Sequence, residues 1–180
     1  AGIGKLGIRE AIIDLGKPSY ALKSLSMNYC DAKYDQGRDS QRERPTGHIA
    51  VNNINLDCRE TVYTPDSTLL NIKDLAFVQP DGITITGASF SAMADRHLLD
   101  IKELSVKSRN GSLIKGNTIL PWSTLRKGST ADMRAWLSAA LNRKDLSALL
   151  TAKEYESLSM LGDRPFEADI KIHGNVSNME

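Results

Sequence analysis

Cysteine is scarce in this 180-residue chain: Cys30 and Cys58 are the only two. That is too few for a disulfide framework, and neither C-x-x-C nor C-x-H spacing for zinc is present. Charge of one sign is also missing, because Lys plus Arg number 23 against 22 for Asp plus Glu, a net +1. The bulk attraction that nucleic-acid binders rely on is therefore absent, and no nucleic-acid partner is expected. The longest apolar runs, such as LSALL at Leu146 to Leu150, are a few residues long, so no segment spans a bilayer as a helix and no signal peptide is visible. The chain opens on Ala1 and stops at HGNVSNME in the middle of a strand-and-turn pattern, and the expectation is a piece of something longer.

Catalytic signatures are missing too. There is no G-x-S-x-G, P-loop or H-E-x-x-H, and the glycines of GIGKLG near the start have the wrong spacing for a nucleotide loop. His48, His97 and His173 sit in unrelated contexts without a partner at ligand spacing. Carboxylates fall mainly on the outward positions of strands, as Asp57 and Glu60 or Asp100 and Glu103 do. Facing pairs over a cleft could serve a glycosidase, but a solvated sheet face is the simpler account. No catalytic, cofactor-binding or metal-binding residue is assigned, and no cofactor is expected.

What the chain does have is repetition. LSMNYCDAKYD (Leu25 to Asp35) returns 29 residues later as INLDCRETVYT, aligning Leu25 with Ile54, Met27 with Leu56 and Tyr34 with Tyr63. LLNIKDL (Leu69 to Leu75) returns as LLDIKEL (Leu98 to Leu104) at the same spacing, followed by Gly82 and Gly111, then Gly87 and Gly116. Two pairs at one spacing point to a repeated supersecondary unit. Cys30 aligns with Arg59 and Cys58 with Tyr29, which sets the thiols on different faces and argues against a disulfide between them.

Within the unit runs a finer pattern: apolar, any, apolar, two polar, apolar, any, apolar. It fits Tyr20/Leu22/Leu25/Met27, Ile49/Val51/Ile54/Leu56, Leu70/Ile72/Leu75/Phe77, Ile83/Ile85/Ala88/Phe90 and Leu99/Ile101/Leu104/Val106, with a looser match at Leu6/Ile8/Ala11/Ile13. Each half alternates with period two, so these are strands. The two central polar residues shift the parity, and a β-bulge there would return both apolar pairs to one face. Candidate bulges are Lys23-Ser24, Asn52-Asn53, Lys73-Asp74, Thr86-Gly87 and Lys102-Glu103. Bulges at matching positions curve a sheet. The expected fold is mainly β, a curved antiparallel meander forming an open trough, with a short helix near the C-terminal end. The candidate lining of a groove or core is Leu22, Leu25, Met27, Val51, Ile54, Leu56, Ile72, Leu75, Phe77, Ile101, Leu104 and Val106.

Turn residues separate the strands at Thr64-Pro65-Asp66-Ser67, Pro80-Asp81-Gly82 and Arg109-Asn110-Gly111. A polar loop with three arginines covers 35–47 and is expected to be solvated. Residues 1–128 form the repeated sheet, and 129–180 a strand, short helix and strand continuing it. Ser129 or Thr130 could open a helix, yet Met133, Ala135, Leu137, Ala139 and Leu141 alternate with polar positions and read better as strand. Lys144 to Leu161 reads as helix, capped at Asp145 and stopped at Gly162. Phe166 to Gly174 resumes a strand.

These residues carry a resemblance. From HIAVNNINLDCRETVYT through LLDIKELSVKSRNGSLIKGN, the chain resembles the repeated β-units of TamB/AsmA-like envelope proteins in the form found in Bacteroidota. NRKDLSALL followed by FEADIKIHGNV resembles their recurring strand, helix and strand module. The likeness runs over most of Tyr20 to Val176 and rests on patterns of apolar residues and turns. It implies a segment of a periplasmic protein anchored in the inner membrane outside this stretch, forming a long curved sheet with a greasy interior. It also implies phospholipid transport between membranes or outer-membrane protein assembly beside a barrel partner, and no catalytic residue. Phospholipid acyl chains are the expected ligand; an acyl tail laid on such a face gains about 0.8 kcal/mol per buried methylene. The plainer alternatives are a dry core that closes on itself, a structural spacer or adhesion module, and a carbohydrate-active β-protein.

Overall fold

The computed structural model describes residues 4–14, 16, 18–35, 48–80, 82–125, 131–150, 155–156 and 165–174. Nine strands follow the chain: β1 (Lys5–Asp14), β2 (Ser19–Asp35), β3 (His48–Tyr63), β4 (Ser67–Val78), β5 (Thr84–Asp95), β6 (Leu98–Ser108), β7 (Leu113–Pro121), β8 (Met133–Leu141) and β9 (Phe166–Gly174). They form one antiparallel meander in which every strand pairs with its neighbours in sequence, and the sheet is not closed. A 3-10 turn, Trp122–Leu125, follows β7, and one short helix, α1 (Arg143–Leu149), follows β8.

The turns explain the meander. Thr64 Oγ1 accepts from the amides of Asp66 and Ser67, closing the β3–β4 turn. Asp95 does the same between β5 and β6, taking the amides of His97 at 2.6 Å and Leu98 at 2.8 Å, bonds that hold its carboxyl below the usual range. In the β6–β7 turn Gly111 sits at φ +92°, a conformation that favours glycine. Gly116 answers a different need, since a Cβ there would come within 2.4 Å of the Trp136 carbonyl oxygen across the β7–β8 pair.

Bulges interrupt the ladder where polar pairs do. The β3–β4 register gains one residue at Lys73, the β5–β6 register one at Thr86, and both ladders of β6 one at Glu103. Asn53 is the extra residue of β3 against both neighbours. Lys23-Ser24 differs: the register is unbroken on both sides of β2 there. The three strands instead turn over together, because Glu10 and Glu60 flank Lys23 with φ of 49° and 51° and the β1–β2 and β2–β3 ladders stay in step, while against β4 the β3 strand carries an extra residue around Glu60. The extra residue of β2 is Tyr29, at φ 55°. These positions run obliquely across the sheet in two lines, Glu10, Lys23, Glu60, Lys73 and Glu103 in one, and Tyr29, Asn53 and Thr86 in the other. Bulged strands bend, so the lines mark where the sheet curves.

The two 29-residue echoes have different structural meanings. LLNIKDL and LLDIKEL lie on β4 and β6, so that spacing is one hairpin, two strands long. LSMNYCDAKYD and INLDCRETVYT lie on adjacent antiparallel strands, β2 and β3, and Met27 is the direct partner of Leu56. The first echo is therefore one strand plus the 35–47 stretch. Most of that stretch, including its expected solvated loop, lies outside the described residues.

Strand periodicity prevails over helix propensity at Met133–Leu141, which β7 and β9 flank along its whole length. The following helix is shorter than Lys144 to Leu161. Its cap is Asn142, whose side chain accepts from the Lys144 amide at 2.9 Å, and Leu150 is already extended at φ −98°, ψ 151°. Asp145 is not the cap because its carboxylate is turned to the sheet. Tyr155 and Glu156 are helical again; Gly162 lies outside the described residues.

Candidate functional site

Cross-strand partners share a face, so the register assigns the apolar residues. Leu25, Cys58, Ile72 and Phe90 form one row across β2–β5, and Met27, Leu56 and Leu75 another across β2–β4. Ala88, Val106, Ile114 and Ala139 continue the face across β5–β8. The Lys73 bulge returns Leu75 and Phe77 to the face of Ile72, and the Glu103 bulge returns Leu104 and Val106 to that of Ile101. Asn53 does the same between Val51 and Ile54. Leu22 joins the face of Leu25 because Lys23 and Ser24 both line a hollow on the opposite side, as do Arg9 with Glu10 and Arg59 with Glu60. By register all twelve candidate lining residues lie on one face, with Leu56 also bordering the hollow of the other.

Among the described residues no second layer covers that face except α1 at one rim. Substantial contacts between elements join only neighbouring strands, apart from the 3-10 turn against β7. Ile72 is buried at 8% exposure, and the other eleven candidates are half-buried. The most buried apolar side chains are small ones along the middle of the face: Cys30 and Cys58 at 2%, Ala88 at 7% and Ala139 at 8%. Larger neighbours flank them, as at the floor of a trough.

The two thiols correct the sequence expectation of opposite faces. Ile54, Leu56 and Cys58 alternate along β3, and Cys30 is the partner of Ile54, so both cysteines share the apolar face. The Tyr29 bulge, invisible in the 29-residue alignment, adds the residue that turns Cys30 over. Both thiols are free; Cys58 Sγ lies 3.3 Å from Thr61 Oγ1 and Cys30 Sγ 3.6 Å from the Asn28 carbonyl.

Three bulges have a partner that periodicity did not reveal. At left-handed Tyr29, Asn53 and Glu103 the backbone N–H leaves the ladder and donates to a side chain of the adjoining strand. These bonds are Tyr29 N–H to Asn55 Oδ1 at 3.3 Å, Asn53 N–H to Asp31 Oδ1 at 2.9 Å and Glu103 N–H to Asn117 Oδ1 at 2.7 Å. An Asn or Asp on the strand next to a polar pair was the available signal. Each bond satisfies an amide that the bend would otherwise leave unpaired.

The opposite face over β1–β4 holds the hollow, of about 660 Å³. Its charges are largely spent on one another: Lys23 Nζ lies 2.8 Å from Glu10 and Arg59 3.0 Å from Asp57. Hydrogen bonding to Asp57, reinforced by its charge, raises the Arg59 guanidinium above its usual value. Glu60 and Asp74 also line it. Among the described residues no three His, Cys, Asp or Glu side chains are grouped to hold a metal ion. His97 stands exposed in the β5–β6 turn, and His173 on β9 opposite Arg134; the His48 side chain lies outside the described residues.

At one rim of the apolar face, α1 folds back over the ends of β5–β8. Leu146 and Asp145 enclose a space of about 40 Å³ with Ile83, Ile85, Val106, Ser108, Ser112, Ile114 and Leu141. Asp145 is 3% exposed. It accepts from Ser108 Oγ, from Ser112 Oγ at 2.5 Å and from Asn110 Nδ2 at 2.7 Å. Burial pushes its carboxyl upward, but these donors from the β6–β7 hairpin outweigh that and hold it below the usual carboxylate range. At the opposite rim Trp122 Nε1 donates to the Asp95 carbonyl at 2.7 Å.

No protein-family model, curated protein or solved structure matches this chain.

Proposed function

We propose that this chain is a non-enzymatic segment of a periplasmic bridge protein of the TamB/AsmA-like kind, anchored in the inner membrane outside this stretch. Its apolar face carries phospholipid acyl chains between the membranes, or supports outer-membrane protein assembly beside a barrel partner. One observation carries the reading: a continuous apolar face on a curved, unclosed sheet, half-buried and, among the described residues, covered only at one rim by α1. A dry core needs a partner layer to remove such side chains from water. Here lateral shielding by neighbours does part of that work, and an acyl chain would complete it at about 0.8 kcal/mol per methylene.

A carbohydrate-active reading asks for free carboxylates facing over a cleft. The polar hollow does gather four, but Glu10 and Asp57 are already neutralised by Lys23 and Arg59. That arrangement favours a solvated face. The deciding experiment for the acyl-chain reading is titration of delipidated protein with a fluorescent fatty-acyl probe. Leu75→Asp and Leu104→Asp should weaken binding while the circular dichroism of the sheet persists. No binding by the unmodified chain would sink this reading in favour of a spacer, and in-cell photocrosslinking from the apolar positions separates lipid adducts from protein adducts.

A further inference from the structure

We infer that α1 is a displaceable cover, latched through Asp145, that competes with an acyl chain for the rim of the apolar face over β5–β8. This inference rests on the acyl-chain reading above. Several observations carry it. The space beneath the helix, about 40 Å³, is too small for an acyl chain, so a chain can reach Ile85, Val106 and Ile114 only by taking the place of Leu146.

The fastening is also unlike that of a core element. Among the described side chains of α1 the contacts to the sheet divide into one apolar plug, Leu146, and one polar node. The node joins the Asp145 carboxylate to Ser108, Asn110 and Ser112, and the Asn142 amide adds a 2.8 Å bond to Ser112 Oγ. Seven residues are well below the about 12–15 that an isolated helix needs, so α1 persists only while docked. Its junction with β8 allows it to leave without disturbing the ladder. Asn142 is extended at φ −75°, ψ 143° directly after β8, and Leu150 is extended at the far end. Undocking exposes three hydroxyl or amide groups that water can serve, and frees an apolar rim that an acyl chain can serve.

A closed cover lowers the apparent affinity of any ligand that needs the open form, by the fraction open. Loosening the latch should therefore tighten binding. The test uses the whole chain, a fluorescent fatty-acyl probe and amide hydrogen exchange, with Asp145→Asn and the double variant Ser108→Ala/Ser112→Ala compared with the unmodified chain. The expected result is probe binding tightened about tenfold in both variants. The amides of Leu146 and Leu150 should also exchange faster than those of β6–β8, and faster still when the probe is bound. Probe binding that leaves α1 exchange unchanged or slower overturns the cover while sparing the acyl-chain reading. So does α1 exchange that keeps step with the strands. Absence of probe binding to every form removes the acyl-chain reading itself and the competition with it.

Discussion

Asp57 on β3 and Asp74 on β4 are direct cross-strand partners, two carboxylates facing one another on the polar side of the sheet. Arg59 engages Asp57 at 3.0 Å, which relieves the repulsion without removing it. Like charges directly opposite destabilise a pair by roughly 0.2–1 kcal/mol. Asp74→Asn should raise the free energy of unfolding by an amount in that range, and the gain should shrink in high salt, where the original repulsion is screened. Urea unfolding at low and high ionic strength measures both, and a loss of stability would show that Asp74 has a favourable partner.

The bulge at Glu103 combines an unfavourable conformation with a captured amide. A non-glycine residue at φ 55° costs on the order of 1 kcal/mol, and glycine removes that cost. Glu103→Gly should therefore stabilise the chain by up to about 1 kcal/mol. Asn117→Ala should destabilise it by about 1 kcal/mol, since the Glu103 amide loses its 2.7 Å acceptor. Combining the two tests the link: glycine keeps the bulge and its N–H, so the Asn117→Ala loss should persist in the Glu103→Gly background. Thermal unfolding of the four proteins gives the comparison.

Strand, turn and most bend positions were legible because period-two alternation interrupted by two polar residues has one economical solution in a sheet with one apolar face. Asn52-Asn53, Lys73-Asp74, Thr86-Gly87 and Lys102-Glu103 all carry the extra residue. Tyr29 was not legible, since nothing about Asn28-Tyr29-Cys30 breaks the apolar pattern. Missing that one residue reversed the face assigned to Cys30. The Lys23-Ser24 bend was read as a bulge because a single strand does not reveal that its neighbours bend with it. The latch on α1 was hidden for another reason. Ser108, Asn110 and Ser112 look like ordinary turn residues, and Asp145 like a cap, until the hairpin and helix are brought together.

Both thiols lie at 2% exposure on the apolar face, on different strands and paired to Ile54 and Leu25 rather than to each other. Reaction with a water-soluble thiol reagent should be slow in the folded chain and should report two thiols in denaturant. A count below two in denaturant would reveal a disulfide. An acyl chain lying along the middle of the face should slow labelling of Cys58 further, so the same reagent offers a second readout of occupancy.

The Asp145 latch should depend on pH in one direction only. Its carboxyl is held below the usual value of about 3.9 by the Ser108, Ser112 and Asn110 donors, despite burial. A group whose folded value is depressed contributes its full stabilisation above the unfolded value and loses it as pH falls through the folded one. The latch is therefore closed at neutral and mildly acidic pH and weakens only below about pH 4. Hydrogen bonds to a buried carboxylate are worth about 1.5–3 kcal/mol each in favourable cases, so the exchange of the Leu146 and Leu150 amides should accelerate, relative to strand amides, as acid protonates Asp145. Asp145→Asn should show the faster relative exchange already at neutral pH and no further acceleration in acid. Equal acid sensitivity in the two proteins would move the titrating group elsewhere and leave Asp145 as a packing residue.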